Sequence, residues 1–194
     1  MLKLQNVSFS YGKKKVLDRL SLNVDDSEIL AIMGPSGCGK STLLNLIAGL
    51  CRASDGHVLT DAKKISYAFQ EPRLFPWMSV ADNLFAVLPM RDETTEQTVM
   101  RALETVGLSD CADLYPSELS GGMKSRVSLA RALVHGGDLF LLDEPFATLD
   151  EALREELATA LRKEFKSRAA TVILVTHNRS DALAMADRIV TLPQ

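Results

Sequence analysis

The segment Gly34-Pro35-Ser36-Gly37-Cys38-Gly39-Lys40-Ser41-Thr42 constrains the fold more than any other part of this sequence. It fits the phosphate-loop pattern G-x-x-x-x-G-K-[ST] in the setting that pattern requires. An apolar run, Glu28 to Met33, precedes it and reads as a strand, while Ser41 to Ala48 follows with helical spacing. The glycines permit positive φ and close backbone approach, so successive amides can turn toward a β-phosphate and the helix start adds partial positive charge. Lys40 then reaches the β/γ-phosphates, and Ser41 offers a hydroxyl to Mg²⁺. A glycine-rich turn beside a surface lysine would not need a strand before it and a helix after it.

A phosphate loop alone leaves kinases, GTPases and many ATPases open. Asp138 to Glu144 is an apolar run ending in two carboxylates, with no polar alternation, and reads as a parallel strand buried on both faces. Ligands collect at the C-terminal edge of such a sheet. Asp143 is placed to hold Mg²⁺, directly or through water, and Glu144 to polarise an attacking water. His177 follows a second buried run, Thr171 to Thr176, and so reaches the same edge. Gln70, after a short strand and before Pro72, could be a turn residue, although an uncharged amide there can still touch Mg²⁺ and a water without competing for the proton. A second glycine-bearing segment, Leu119-Ser120-Gly121-Gly122-Met123, stands before a long helical pattern ending near Leu133, and forms another helix start suited to an anion.

These segments, in this order, resemble the ATP-binding cassette (ABC) transporter family, and the resemblance covers essentially the whole chain. Tyr11 matches the aromatic that stacks on adenine, although a plain strand aromatic would look the same. Gln70 matches the Q-loop glutamine, Leu119 to Met123 the signature, Ala147 to Asp150 the D-loop, and His177 the switch histidine. The resemblance implies that Ser120, Gly121 and Gly122 bind the γ-phosphate held by another subunit, in a head-to-tail dimer with two ATP molecules in its interface. It also implies integral membrane permease subunits and a substrate-binding protein as partners. Met123 stands where the family usually has glutamine, a replacement that resembles importers of small organic anions such as nitrate, taurine or sulfonates. The stretch from Gly49 to Gln70 is shorter than the family norm.

The loop Glu71 to Ser79 carries Leu74, Phe75 and Trp77, which either fold back as local core or offer an apolar patch to the permease. The resemblance favours the patch. With Lys+Arg 22 against Asp+Glu 25 the net charge is −3, and no basic stripe asks for nucleic acid. No apolar run is long enough to span a bilayer and the first residues do not read as a signal peptide. The implied location is therefore cytoplasmic, on the inner face of the cell membrane through the permease. Cys38, Cys51 and Cys111 are odd in number and scattered, which argues against a disulfide framework.

The expected fold is α/β, a P-loop NTPase of the ABC ATPase type occupying residues 1–194 as one domain. It has a mostly parallel core sheet, an antiparallel N-terminal flap, and a helical signature subdomain over about 79–136. Strands are expected near 2–9, 16–24, 29–33, 57–60, 64–69, 138–143, 171–176 and 188–192, with helices at 151–167 and 179–186. Two other classes compete. A soluble non-transport ABC ATPase would need long coiled coil or a second cassette in the same chain, and a small-molecule kinase would have no use for the signature.

Overall fold

The computed structural model describes residues 1–192; the last two residues of the expected 1–194 domain lie outside the described residues. The chain opens with β1 (Leu2–Tyr11) and β2 (Lys14–Val24), joined by a two-residue turn in which Gly12 takes a left-handed φ of 58°. Then come β3 (Ile29–Met33), α1 (Lys40–Ile47), β4 (Asp55–Thr60) and β5 (Ile65–Ala68). The helical arm contains α2 (Val80–Phe85), α3 (Glu93–Thr105) and α4 (Gly121–His135). Next are β6 (Leu139–Asp143), α5 (Glu151–Ser167), β7 (Thr171–Val175), α6 (Arg179–Met185) and β8 (Arg188–Thr191).

Two sheets result. The antiparallel one has the order β2-β1-β4, and the parallel one β5-β6-β7-β3-β8. Every residue of β6 and β7 is buried, as a parallel strand covered on both faces requires. Successive side chains on these strands serve different cores. Phe140, Leu142, Val172 and Leu174 pack with the helical arm and α5, whereas Leu139, Leu141, Ile173 and Val175 pack with α1 and the antiparallel sheet. The three-stranded flap forms even though the Gly49 to Gln70 stretch is short.

The stretch from 79 to 136 is largely helical, but not as one continuous helix. Three helices occupy it, separated by irregular segments that carry single 3-10 turns at Ser109–Cys111 and Pro116–Glu118. Pro89 and Pro116 lack the amide hydrogen that helix continuation requires, and Gly107 sits at φ 66°. New helix starts follow, with Asp92 and Thr95 forming a reciprocal capping box for α3.

Candidate functional site

The phosphate loop links β3 to α1. Gly39, the residue before α1, has φ 101°, and a Cβ there would lie 2.8 Å from Val16 Cγ1, so backbone and packing both select glycine. No side chain caps α1. Its first amides therefore remain available to an anion. The buried Lys40 donates from Nζ to the carbonyls of Gly34 (2.8 Å) and Pro35 (3.0 Å). A cleft of about 420 Å³ opens here. Tyr11, Lys14 and Val16 line one side, Ser36, Gly37, Gly39, Lys40, Ser41 and Thr42 its floor, and Gln70, Asp143 and Glu144 the other side.

Gly34, Pro35 and Cys38 do not line this cleft. The first two hold Lys40 through their carbonyls, and the Cys38 amide closes a turn onto Pro35. The Cys38 side chain faces a separate cavity of about 250 Å³ with Val16, Leu17, Leu20 and Leu192. Tyr11 is exposed, its ring edge-on to Phe9 at a centroid separation of 4.9 Å. Lys14 and Val16 were missing from the sequence-based site. The hairpin register that turns them toward the phosphate loop has no short motif.

Asp143 ends β6 beside Val175 of β7. Its side chain is only 4% exposed, Oδ1 has no hydrogen-bond partner, and burial pushes the carboxyl above its ordinary value against the opposing pull of the Ser41 hydroxyl. A buried acceptor left open beside Ser41 and Gln70 fits Mg²⁺. No metal-binding cluster of three His, Cys, Asp or Glu residues exists among the described residues, so a cation here would take its remaining ligands from hydroxyl, amide, water or phosphate oxygens. Glu144 has a left-handed φ of 50°, and its amide donates to the Val175 carbonyl (2.9 Å). That turn carries its carboxylate to His177, where Oε2 lies 2.8 Å from Nδ1 and 3.4 Å from the His177 amide.

Ser120, Gly121 and Gly122 lie apart from this cleft. Ser120 caps α4 by accepting from the Met123 amide (3.2 Å), and both Ser120 and Gly121 are exposed. Gly122 abuts the segment before α5, since a Cβ on it would lie 3.0 Å from Leu149 Cδ2 and 3.1 Å from the Thr148 carbonyl.

The loop after Gln70 divides its apolar residues. Leu74 packs against the core, whereas Phe75 and Trp77 are exposed, Trp77 at 70%, with ring centroids 5.7 Å apart. Two residues that the sequence reading passed over hold this loop. Fully buried Asn83 accepts from the Phe75 amide (2.8 Å) and donates to the carbonyls of Phe75, Met78 and Ser79. Arg131 of α4 donates to the carbonyls of Pro72 (2.8 Å) and Arg73 (3.0 Å), and its burial lowers the guanidinium below its ordinary value. A charge inside Leu129-Ala-Arg-Ala-Leu133 was the available signal for Arg131.

Comparisons with known proteins bear on the same segments. A sequence model described as ABC transporter matches residues 17–147. The aliphatic sulfonates import ATP-binding protein SsuB of Yersinia pestis is 43% identical over 98% of this chain and 72% of its own length. The SsuB protein of Bacillus licheniformis is 39% identical over 98% of this chain and 78% of its own. The dimeric structure of MJ0796, a bacterial ABC transporter cassette, superposes with a TM-score of 0.91 at 30% identity, covering 99% of this chain and 94% of that one. A post-hydrolysis dimer of MJ0796 bound to ADP and Pi gives 0.89 at 31% identity, covering 99% and 94%. Family match, near full-length identity and superposition all fall on the chain that carries the phosphate loop, the paired acids and the second glycine-bearing helix start, and this chain belongs to the ABC transporter family.

Proposed function

We propose that this ATPase energises import of a small organic anion, of the aliphatic sulfonate class its relatives are named for, through membrane permease subunits. A substrate-binding protein delivers the anion, and the ATPase sits on the cytoplasmic face of the membrane. The observation that carries the mechanism is the sheet edge itself: Lys40, Ser41, Gln70, Asp143 and Glu144 share one cleft, while Ser120 and Gly121 are exposed apart from it. Tyr11 stacks on adenine. Amides of Ser36 to Thr42 and the Lys40 ammonium bind the phosphates. Ser41, Gln70 and Asp143 would hold Mg²⁺, which would neutralise charge developing on the phosphoryl oxygens. Glu144 polarises the water that attacks the γ-phosphorus, and His177 orients the Glu144 carboxylate and the γ-phosphate. The signature of a second copy completes each site, so the working unit is a head-to-tail homodimer.

Glu144→Gln keeps the shape of the side chain and removes the base. Hydrolysis should fall by about two orders of magnitude or more, with Mg-ATP still bound. Light scattering should find that variant dimeric with ATP and monomeric with ADP, because ATP bridges two chains. Adding Ser120→Arg should abolish the dimer while ATP still reaches its own phosphate loop. An ATP-dependent dimer that survives Ser120→Arg, or a Glu144→Gln protein with wild-type turnover, overturns the mechanism.

A further inference from the structure

Behind the Glu144–His177 couple lies an ion pair between a half-buried arginine and a buried aspartate that no step above uses. Asp181, on α6, has a side chain only 4% exposed, and Arg154, on α5, places Nε 3.6 Å from its Oδ1. Both atoms lack a hydrogen-bond partner, so the pair is held by charge and stands a small shift of α5 on α6 away from a direct hydrogen bond. Each end is anchored on a segment that borders the site. Arg154 donates from its other nitrogen to the Leu149 carbonyl (2.9 Å), the residue before Asp150, which caps α5. Asp181 accepts from the Thr176 hydroxyl (3.2 Å), and that oxygen accepts from the Asn178 amide (3.0 Å). The backbone on both sides of His177 is therefore fixed from Asp181.

The same segment before α5 touches the signature helix. Gly122 packs on Thr148 and Leu149, and the hydroxyls of Ser125 and Thr148 are 3.0 Å apart. One continuous set of contacts thus runs from α4 through Thr148–Leu149, Arg154, Asp181 and Thr176 to His177 and Glu144. Stability alone does not account for it. Desolvating two charges offsets much of their attraction, and apolar residues of similar volume often serve a core as well or better. Nor is Asp181 needed to start α6, because Asn178 caps that helix.

We propose that Arg154 and Asp181 are a positioning pair, which fixes the Glu144–His177 couple relative to the Thr148–Leu149 segment and so governs hydrolysis without contributing to nucleotide capture. The inference rests on the roles given to Glu144 and His177 above. Misplacing a reacting group by about an ångström costs up to about a hundredfold in rate.

Steady-state hydrolysis and calorimetric ATP binding by purified full-length variants test it. Asp181→Asn and Arg154→Gln should each lower kcat by about tenfold or more, with KM and ATP affinity within about twofold of wild type. Asp181→Glu, which keeps the charge, should recover most of the rate. The apolar double variant Arg154→Met/Asp181→Leu should melt no lower than Asp181→Asn yet stay as slow, a split that a purely structural role cannot produce. If Asp181→Asn does not fold, Thr176→Val reads the same contact from its other end and should be slow with normal affinity. Wild-type kcat in folded Asp181→Asn or Thr176→Val, equal losses in affinity and kcat, or recovery of rate in the apolar double variant overturns the proposal. Glu144→Gln measured alongside separates the two readings: if it is inactive while Asp181→Asn is normal, only the positioning pair fails; if it is active, the site assignment fails.

Discussion

Two helices in this molecule begin at glycines, and they begin differently. α1 starts at the floor of a cleft, with Gly39 in a left-handed conformation, no side-chain cap, and the buried Lys40 beside it. α4 starts on the surface, with Ser120 accepting from one of its first amides. Both ends carry the same partial positive charge. The first has the lysine, hydroxyls and acids of the cleft beside it; in the mechanism proposed above, the second meets a phosphate held by another copy. On that proposal one physical device serves both halves of a shared site, in a cleft on one copy and on the surface of the other.

The largest effect expected is on the first helix. Lys40→Ala removes a charge-assisted contact worth about 1.5–3 kcal/mol, so ATP affinity measured by calorimetry should fall tenfold or more. Wild-type affinity would show that the amides of α1 suffice and that the two helix starts are more alike than they look. A smaller effect is expected at the second. Ser120→Ala leaves the Met123 amide without its acceptor and should cost about 1 kcal/mol in urea unfolding. A cost near zero would mean that solvent already satisfies this start as well as the serine does.

The smallest expected effect tests the exposed loop, a third region of the comparison. Trp77→Ala should change stability by less than about 0.5 kcal/mol, because the ring is exposed and Asn83, not Trp77, holds the loop. Basal ATP hydrolysis should stay near wild type, while retention by detergent-solubilised permease weakens. A large loss of stability would place Trp77 in the local core.

What could be read from the sequence followed chemistry that is local in the chain. The phosphate loop runs directly from β3, which ends at Met33, into α1, which starts at Lys40, and the runs Leu139–Asp143 and Thr171–Val175 announce buried parallel strands by their lack of alternation. The 151–167 helix emerges at its expected bounds because Asp150 signals its start. The contacts that escaped are long-range. Nothing near Asn83 indicates that it will hold Phe75, Met78 and Ser79, and nothing near Asp181 points to Arg154, since both depend on how helices meet after the sheet has formed. The positive φ of Glu144 is equally hidden, because glutamate has no intrinsic preference for that conformation.

The division of β3, β6 and β7 between two apolar clusters has a consequence for how the molecule comes apart. Leu141 and Leu142 are neighbours on one backbone, yet one belongs to the core under α1 and the other to the core under the helical arm. Neither core can dissolve while the other keeps its strands, so heat should dismantle both in one cooperative event. Nucleotide held on one side then protects the opposite side as well, although it touches nothing there.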